Sequence, residues 1–249
     1  AQWVITQVGN ALAKNIPDSF FMSISPFGCR NCVVHFGSIH TMWWATKIGF
    51  PHKSNRVIVT WFHVSPTDTR VARIDHLLPH VDLWHTASTH TKQKLIALGV
   101  PEERICIVPL GVQTELFSLV IPEEKQIQRE AYGIPADSMV IGSFQKDGVG
   151  WGQGLEPKRI KGPDVFCDVV EKVAKKHKVF VVLTGPARGY VRNRLDQAGI
   201  AYIHTYTERP EEIISMYNLL DVYLVASREE GGPLQVLEAM ASGIPLVTT

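Results

Sequence analysis

Two glutamates with seven residues between them bracket a glycine pair near the end of the chain: Glu230, Gly231, Gly232, Pro233, Leu234 and, further on, Glu238. Carboxylates accept hydrogen bonds from sugar hydroxyls, and glycines let a ligand approach the backbone closely. Pro233 suits the first turn of a helix running to about Ser242, where Gly243 ends it and Pro245 prevents its return. The start of such a helix offers unpaired N–H groups and a partial positive charge, so the strand–glycine–helix junction is an anion site suited to a diphosphate. Glu238 stands among Leu237, Ala239, Met240 and Ala241; a carboxylate in that company needs a partner, unless it is a solvated helix residue.

Other groups could contribute chemistry. The segment Lys146–Arg159 holds Gly148, Gly150, Gly152 and Gly154 around Trp151; it is either functional or a floppy insertion. Its glycines do not match G-x-x-x-x-G-K-S/T, which excludes an ATPase phosphate loop. His63 ends an apolar run, a place where histidines are commonly structural. Cys29 and Cys32 have C-x-x-C spacing, but no second pair completes a zinc site, so they are expected to flank a strand. Asp75, His76 and His80 could sit on one helix face, but Pro79 argues against a regular helix, and no metal is expected. Trp43, Trp44 and Trp61 are expected in packing. No Ser-His-Asp arrangement is evident.

The elements that would position these groups are short and repetitive. Val33–Phe36, Val57–Phe62, Leu83–Ser88 and Ile105–Leu110 form one series of apolar runs. Met139–Phe144, Val179–Gly185, Ala201–Thr205, Val222–Ser227 and Pro245–Thr248 form a second. Rich in Val and Ile with weak alternation, they suit strands buried on both faces of parallel sheets. Amphipathic stretches lie between them, among them Trp3–Ala13, Pro163–His177 and Glu211–Leu220. Strand and helix in alternation predict an α/β protein. A break in the stretch Ser118–Ile134, which reads as a linker plus a short helix, predicts two domains, 1–127 and 128–249. The first opens in a helix with no strand before it, and the second stops after a strand with no covering helix. The chain is therefore expected to be a fragment or a trimmed member of its kind.

The 249 residues are 45% hydrophobic and 20% charged, with net charge +1, which suits a packed core and not a general nucleic-acid binder. No apolar run is long enough to span a bilayer. Four cysteines fit a reducing, cytoplasmic compartment.

The run Ser227-Arg-Glu-Glu-Gly-Gly-Pro-Leu-Gln-Val-Leu-Glu-Ala-Met-Ala-Ser-Gly-Ile-Pro245 resembles the E-x7-E signature of family 4 glycosyltransferases, which have the GT-B fold of two Rossmann-like domains with parallel sheets. Ala87-Ser-Thr, Leu98-Gly-Val-Pro101, Ile107-Val-Pro-Leu-Gly-Val112, Phe117, Lys161-Gly162 and Val182-Leu-Thr-Gly185 agree and keep the family's order. The resemblance implies metal-independent transfer, with retention, from a UDP- or GDP-sugar that is a substrate, with no separate cofactor. The acceptor would be an unidentified hydroxyl on carbohydrate, lipid or another molecule, with peripheral contact at the inner membrane face as one setting. It implies that Glu238 holds the ribose and that Glu230 contacts the donor sugar. The backbone of Gly231, Gly232, Pro233 and Leu234 would lie near sugar and phosphate, and Lys161 would neutralise the diphosphate. Gly185 belongs to the same nucleotide side, and His63 would face the donor sugar. The family's arginine partner of Lys161 is replaced by Gln145, leaving Lys146 or Arg159 to supply that charge, and its Asp in G-V-D is Gln113. A non-catalytic nucleotide-sugar-binding module and a nucleotide-sugar epimerase are the alternatives.

Overall fold

The computed structural model describes residues 4–16, 20, 22, 23, 25–65, 68–206 and 209–249. The chain forms two compact units, Ala1–Leu110 and Gly111–Thr249. In the first, α1 (Val4–Asn15), β1 (Val33–Phe36), α2 (Ile39–Thr46), β2 (Arg56–Thr60), β3 (Leu83–Thr86), α3 (Thr89–Ala97) and β4 (Ile105–Ile107) follow in order. The expected helix Trp3–Ala13 thus corresponds to α1, though Trp3 lies outside the described residues. The four strands pair in chain order and all in parallel; Val59, for example, stands opposite Trp84. Ser38 and Ser88 start α2 and α3 by accepting N–H bonds from His40 and Thr91, the usual task of serine at a helix start. Trp61, Trp84, Met42, Leu77 and Leu95 fill the core, whereas Trp44 is exposed. Pro79 acts as expected: Val71–His76 and Leu78–His80 are short 3-10 turns, and His80 stacks on Phe50 with ring centroids 3.5 Å apart.

The second unit contains α4 (Pro122–Ala131), β5 (Met139–Phe144), α5 (Pro163–Ala174), β6 (Val179–Thr184), α6 (Gly189–Ala198), β7 (Ala201–Thr205), α7 (Pro210–Asn218), β8 (Val222–Val225), α8 (Leu234–Ala241) and β9 (Leu246–Thr248). Its sheet is parallel with order β7-β6-β5-β8-β9. Every residue of β6 is buried, which explains its lack of polar alternation. The chain leaves β5 for β6 on one side and later returns to β8 on the other. Such a reversal opens a crevice beyond the carboxyl ends of β5 and β8, the place where open α/β sheets take ligands.

The break between units falls at 110/111, not at 127/128. The helix α4 lies on both sides of the expected boundary, but its polar side chains tie it to the second unit. Buried Arg129 donates to the Leu219 carbonyl at 2.9 and 2.7 Å and pairs with Asp221 at 2.8 Å. Lys125 reaches the same carboxylate at 3.1 Å. A Pro-and-charge-rich stretch has the composition of a linker, and only these long-range bonds reveal it as part of a unit.

Candidate active site

The crevice beyond β5 and β8 gathers residues from three loops. Lys161 ends a 3-10 turn, Arg159–Lys161, and Gly162 starts α5 with φ +62°, a left-handed conformation that favours glycine. A side chain there would collide with the Ala226 carbonyl, so the Lys161–Gly162 turn can lie directly against the end of β8. Arg228 N–H donates to the Ile160 carbonyl at 2.9 Å and locks the loop after β8 to that turn. The result is a two-pronged ion pair: Lys161 Nζ stands 2.7 Å from both Oε1 and Oε2 of Glu230. Each side chain is 17% exposed, so the pair is shielded but reachable from solvent.

Gln145, just past β5, bridges the same loops. Its Nε2 donates to the Lys161 carbonyl at 3.0 Å, and its Oε1 accepts from Ser227 Oγ at 3.2 Å. It therefore supplies geometry where the resemblance expects a positive charge. Arg159, one of the two substitutes considered for that charge, is committed elsewhere: its guanidinium and that of Arg228 both bind Asp164 at 2.8 Å. These two cations hold the Asp164 carboxyl far below the usual range, Arg228 contributing most, against a smaller penalty from burial.

Pro233 is the residue before α8 and not its first turn; the helix begins at Leu234 with no side chain capping it. Gly231 is buried and Gly232, with φ +124°, is half-buried. At the far end Gly243 turns the chain so that Ile244 N–H returns to the Ala239 carbonyl at 2.9 Å, as the Gly-x-Pro ending predicts. Glu238 has the partner that its apolar neighbours required: the buried Tyr217 hydroxyl donates to Oε2 at 2.7 Å. Burial raises the Glu238 pKa, and this hydrogen bond opposes the rise. Glu230 and Glu238 both lie near enough to the buried Tyr223 hydroxyl to push its pKa up, after the larger effect of burial. Of the two acids, Glu238 is tied to Tyr217 and Glu230 to Lys161.

The glycine-rich segment is an ordered hairpin. Gly148 bridges Pro157, Val149 N–H donates to Glu156 at 2.9 Å, and Lys158 N–H donates to Asp147 at 2.7 Å. Its outer carbonyls, those of Gln153 and Gly154, accept the first N–H groups of α6, from Gly189 and Tyr190, both at 2.8 Å. Two N–H groups at the start of α6 are thereby taken by the hairpin, whereas the start of α8 has no side-chain cap. Beneath the hairpin lies Arg188, fully buried, whose Nη1 donates to the carbonyls of Ser143, Gln145 and Thr184 at 2.7–2.9 Å. Its Nε stands 3.0 Å from Asp147, although neither carboxylate oxygen has a hydrogen bond of good geometry. Burial raises the Asp147 pKa, and Arg188 opposes it. Gly185 lies beside Gln145 at the end of β6, and its carbonyl bonds His204 Nε2 at 2.8 Å.

Lys146 rests its ammonium 4.3 Å from the Trp151 ring centroid. Lys158 is an exposed residue, and desolvation first, then the charges of Lys161 and Lys146, lower its pKa, while Glu230 opposes them. Sequence reasoning missed Tyr217, Lys158, Asp147 and Arg188. Only Arg188 carried a signal, as an arginine at the junction of a strand and a helix on the ligand side of the sheet.

In the first unit His63 is exposed in the loop after β2, three residues beyond Thr60, and its carbonyl accepts Trp61 Nε1 at 2.8 Å. Nearby, His35 Nε2 and His85 Nδ1 each stand 2.8 Å from the buried Thr60 hydroxyl. An open cavity of about 420 Å³ is lined by His40, Trp43, Ser65, Asp68, Thr69 and Arg70, none of them singled out as a site residue by the sequence. Among the described residues no cluster of three or more His, Cys, Asp or Glu is arranged for a metal, and all four cysteines are free. No helix among them is long and apolar enough to cross a membrane.

Comparison with known proteins agrees with this architecture. Residues 149–249 match the family model described as Glycosyl transferases group 1. Over 93% of its length the chain is 29% identical to a D-inositol 3-phosphate glycosyltransferase of Corynebacterium jeikeium, covering 60% of that protein. Over 90% it is 25% identical to the amylovoran biosynthesis glycosyltransferase AmsK of Erwinia amylovora, covering 54% of it. The chain thus spans 60% or less of these two relatives. Among solved structures, HepE of Anabaena in complex with UDP and glucose superposes on the whole chain with TM-score 0.68 at 15% identity, the chain covering 64% of it. The fold is that of the GT-B glycosyltransferases, two α/β units with parallel sheets, and the second unit carries the match to group 1 of these transferases.

Proposed function

We propose that this chain transfers a sugar, with retention and without a metal ion, from a nucleotide diphosphate donor to an acceptor hydroxyl. The observation that carries the reading is the Lys161–Glu230 pair beside the uncapped start of α8, at the point where the sheet order reverses. Breaking a glycosidic bond to a diphosphate piles negative charge on the leaving group; a lysine and a helix N-terminus aimed at it stabilise that charge as it forms. In this reading Lys161, with the backbone from Gly231 to Leu234, binds the diphosphate, Glu230 accepts hydroxyls of the donor sugar, and Glu238 holds the ribose. Gly185 stays on the nucleotide side, and His63 keeps the role that the resemblance implies, a partner of the donor sugar. UDP-linked donors are favoured because HepE was solved with UDP-glucose. The names of the relatives support a carbohydrate or polyol acceptor.

Calorimetry with UDP and GDP, followed by turnover of a labelled donor and NMR of the product anomer, tests this. Binding, transfer to an added acceptor and an unchanged anomeric configuration are expected. Binding without turnover reduces the protein to a nucleotide-sugar-binding module, an isomerised donor makes it an epimerase, and an inverted product removes retention. Absence of binding to either nucleotide overturns the reading.

A further inference from the structure

The expected arginine partner of Lys161 is absent, and the structure narrows what could replace it. Gln145 is neutral and spends its amide on the Lys161 carbonyl and Ser227. Arg159 is bound to Asp164. Arg188 is buried beneath the hairpin, its donors spent on Ser143, Gln145 and Thr184 and its charge on Asp147. Two lysines remain.

The base of the hairpin brings them beside Lys161. Lys158 N–H bonds the carbonyl of Asp147, the residue after Lys146, at 2.7 Å; Lys161 N–H bonds the Lys158 carbonyl at 2.8 Å. Three ammonium-bearing residues therefore leave one small patch of backbone, and the buried Asp147–Arg188 pair fixes its underside. Glu230 pairs with Lys161 there, while the Asp147 carboxylate faces Arg188. Among the described residues neither Lys146 nor Lys158 has a carboxylate partner; Lys146 has the face of Trp151 and Lys158 has none. Of the three lysines only Lys161 is paired with a carboxylate, so a doubly charged diphosphate would give the other two a counter-charge.

We infer that Lys158, together with Lys146 and Lys161, binds the donor diphosphate and supplies the charge of the missing arginine. The inference rests on the proposed function and adds to it a ligand that neither the sequence pattern nor the resemblance assigns. The lowered pKa of Lys158 agrees: each neighbouring ammonium makes its own charge harder to hold, and a bound dianion would relieve all three.

The test is calorimetry on the full chain with UDP, uridine and inorganic pyrophosphate as probes. Lys158→Met should weaken UDP and pyrophosphate at least about tenfold and leave uridine unchanged, the size expected for one charge-assisted contact. Lys158→Arg should bind UDP as the parent does. Lys176→Met, at an exposed lysine two residues beyond the end of α5, serves as the control for general charge loss. If Lys158→Met binds UDP normally while Lys161→Met loses it, Lys158 is not a ligand and the proposed function stands. Loss of UDP in Lys158→Arg as severe as in Lys158→Met also removes Lys158 as a charge donor. If the parent chain binds neither UDP nor pyrophosphate, the inference falls with the function it rests on.

Discussion

Glu230→Gln tests the unliganded site most directly. In the free protein, Glu230 holds Lys161 by two contacts of 2.7 Å with both side chains 17% exposed. A fully exposed pair contributes at most about 1 kcal/mol, whereas a hydrogen bond to a charged group that is mostly shielded contributes roughly 1.5–3 kcal/mol. This pair lies between, at about 1–2 kcal/mol. A diphosphate that takes Lys161 must compete with Glu230 and is also repelled by it. Removing the carboxylate should therefore tighten UDP binding by roughly 5–30-fold, the same free energy expressed as affinity. The free protein should lose about 1–2 kcal/mol of stability, because the competitor that held Lys161 is gone. Turnover with the nucleotide sugar should fall, since the contact to the sugar is lost. Calorimetry with UDP, a urea melt and a labelled-donor assay read the three effects. Unchanged or weaker UDP binding in a folded Glu230→Gln protein refutes the idea that Lys161 serves carboxylate and diphosphate in turn.

Three further outcomes follow from the same geometry. Glu238→Gln should stabilise the free protein at pH 7. The folded-state pKa of Glu238 is raised, so the protonated form favours folding; that contribution is present below the ordinary glutamate value and is lost as pH rises through the raised one, a slope the variant should lack in melts across pH. Tyr217→Phe removes the donor to Glu238 and should cost about 1–3 kcal/mol, seen as a lower urea midpoint with an unchanged m-value. Gly162→Ala places a methyl against the Ala226 carbonyl at a positive φ, so it should cost at least about 2 kcal/mol in the same melt; a neutral effect would show that the loop is free to move away.

The strands were legible because β-branched runs such as Val33–Phe36, Met139–Phe144 and Ala201–Thr205 are bounded by turns, and these three coincide with β1, β5 and β7. Glu238 was legible as needing a partner because its neighbours are apolar; that the partner is Tyr217, twenty-one residues earlier, was not, because no local pattern records it. The order of the sheet, and so the crevice beside β5 and β8, follows from pairing between residues far apart in sequence. The short helix expected in this linker-like stretch is α4, Pro122–Ala131; what its composition did not record is its attachment to the second unit through Arg129 and Asp221. The glycines of Lys146–Arg159 suggested freedom, whereas Gly154 is glycine because the Ala187 backbone passes where a side chain would stand.

That hairpin separates two kinds of variation. Its base is held by main-chain bonds that any sequence could make but few could fit, given Gly154 against Ala187 and Asp147 against Arg188. Its tip carries Val149, Trp151 and Leu155 facing outward, with none of them in the buried core. Substitutions at Val149 and Leu155 should therefore leave expression nearly unchanged, whereas Trp151 carries the contact to Lys146. The architecture is a fixed socket with a tolerant head, where sequence change costs the fold little.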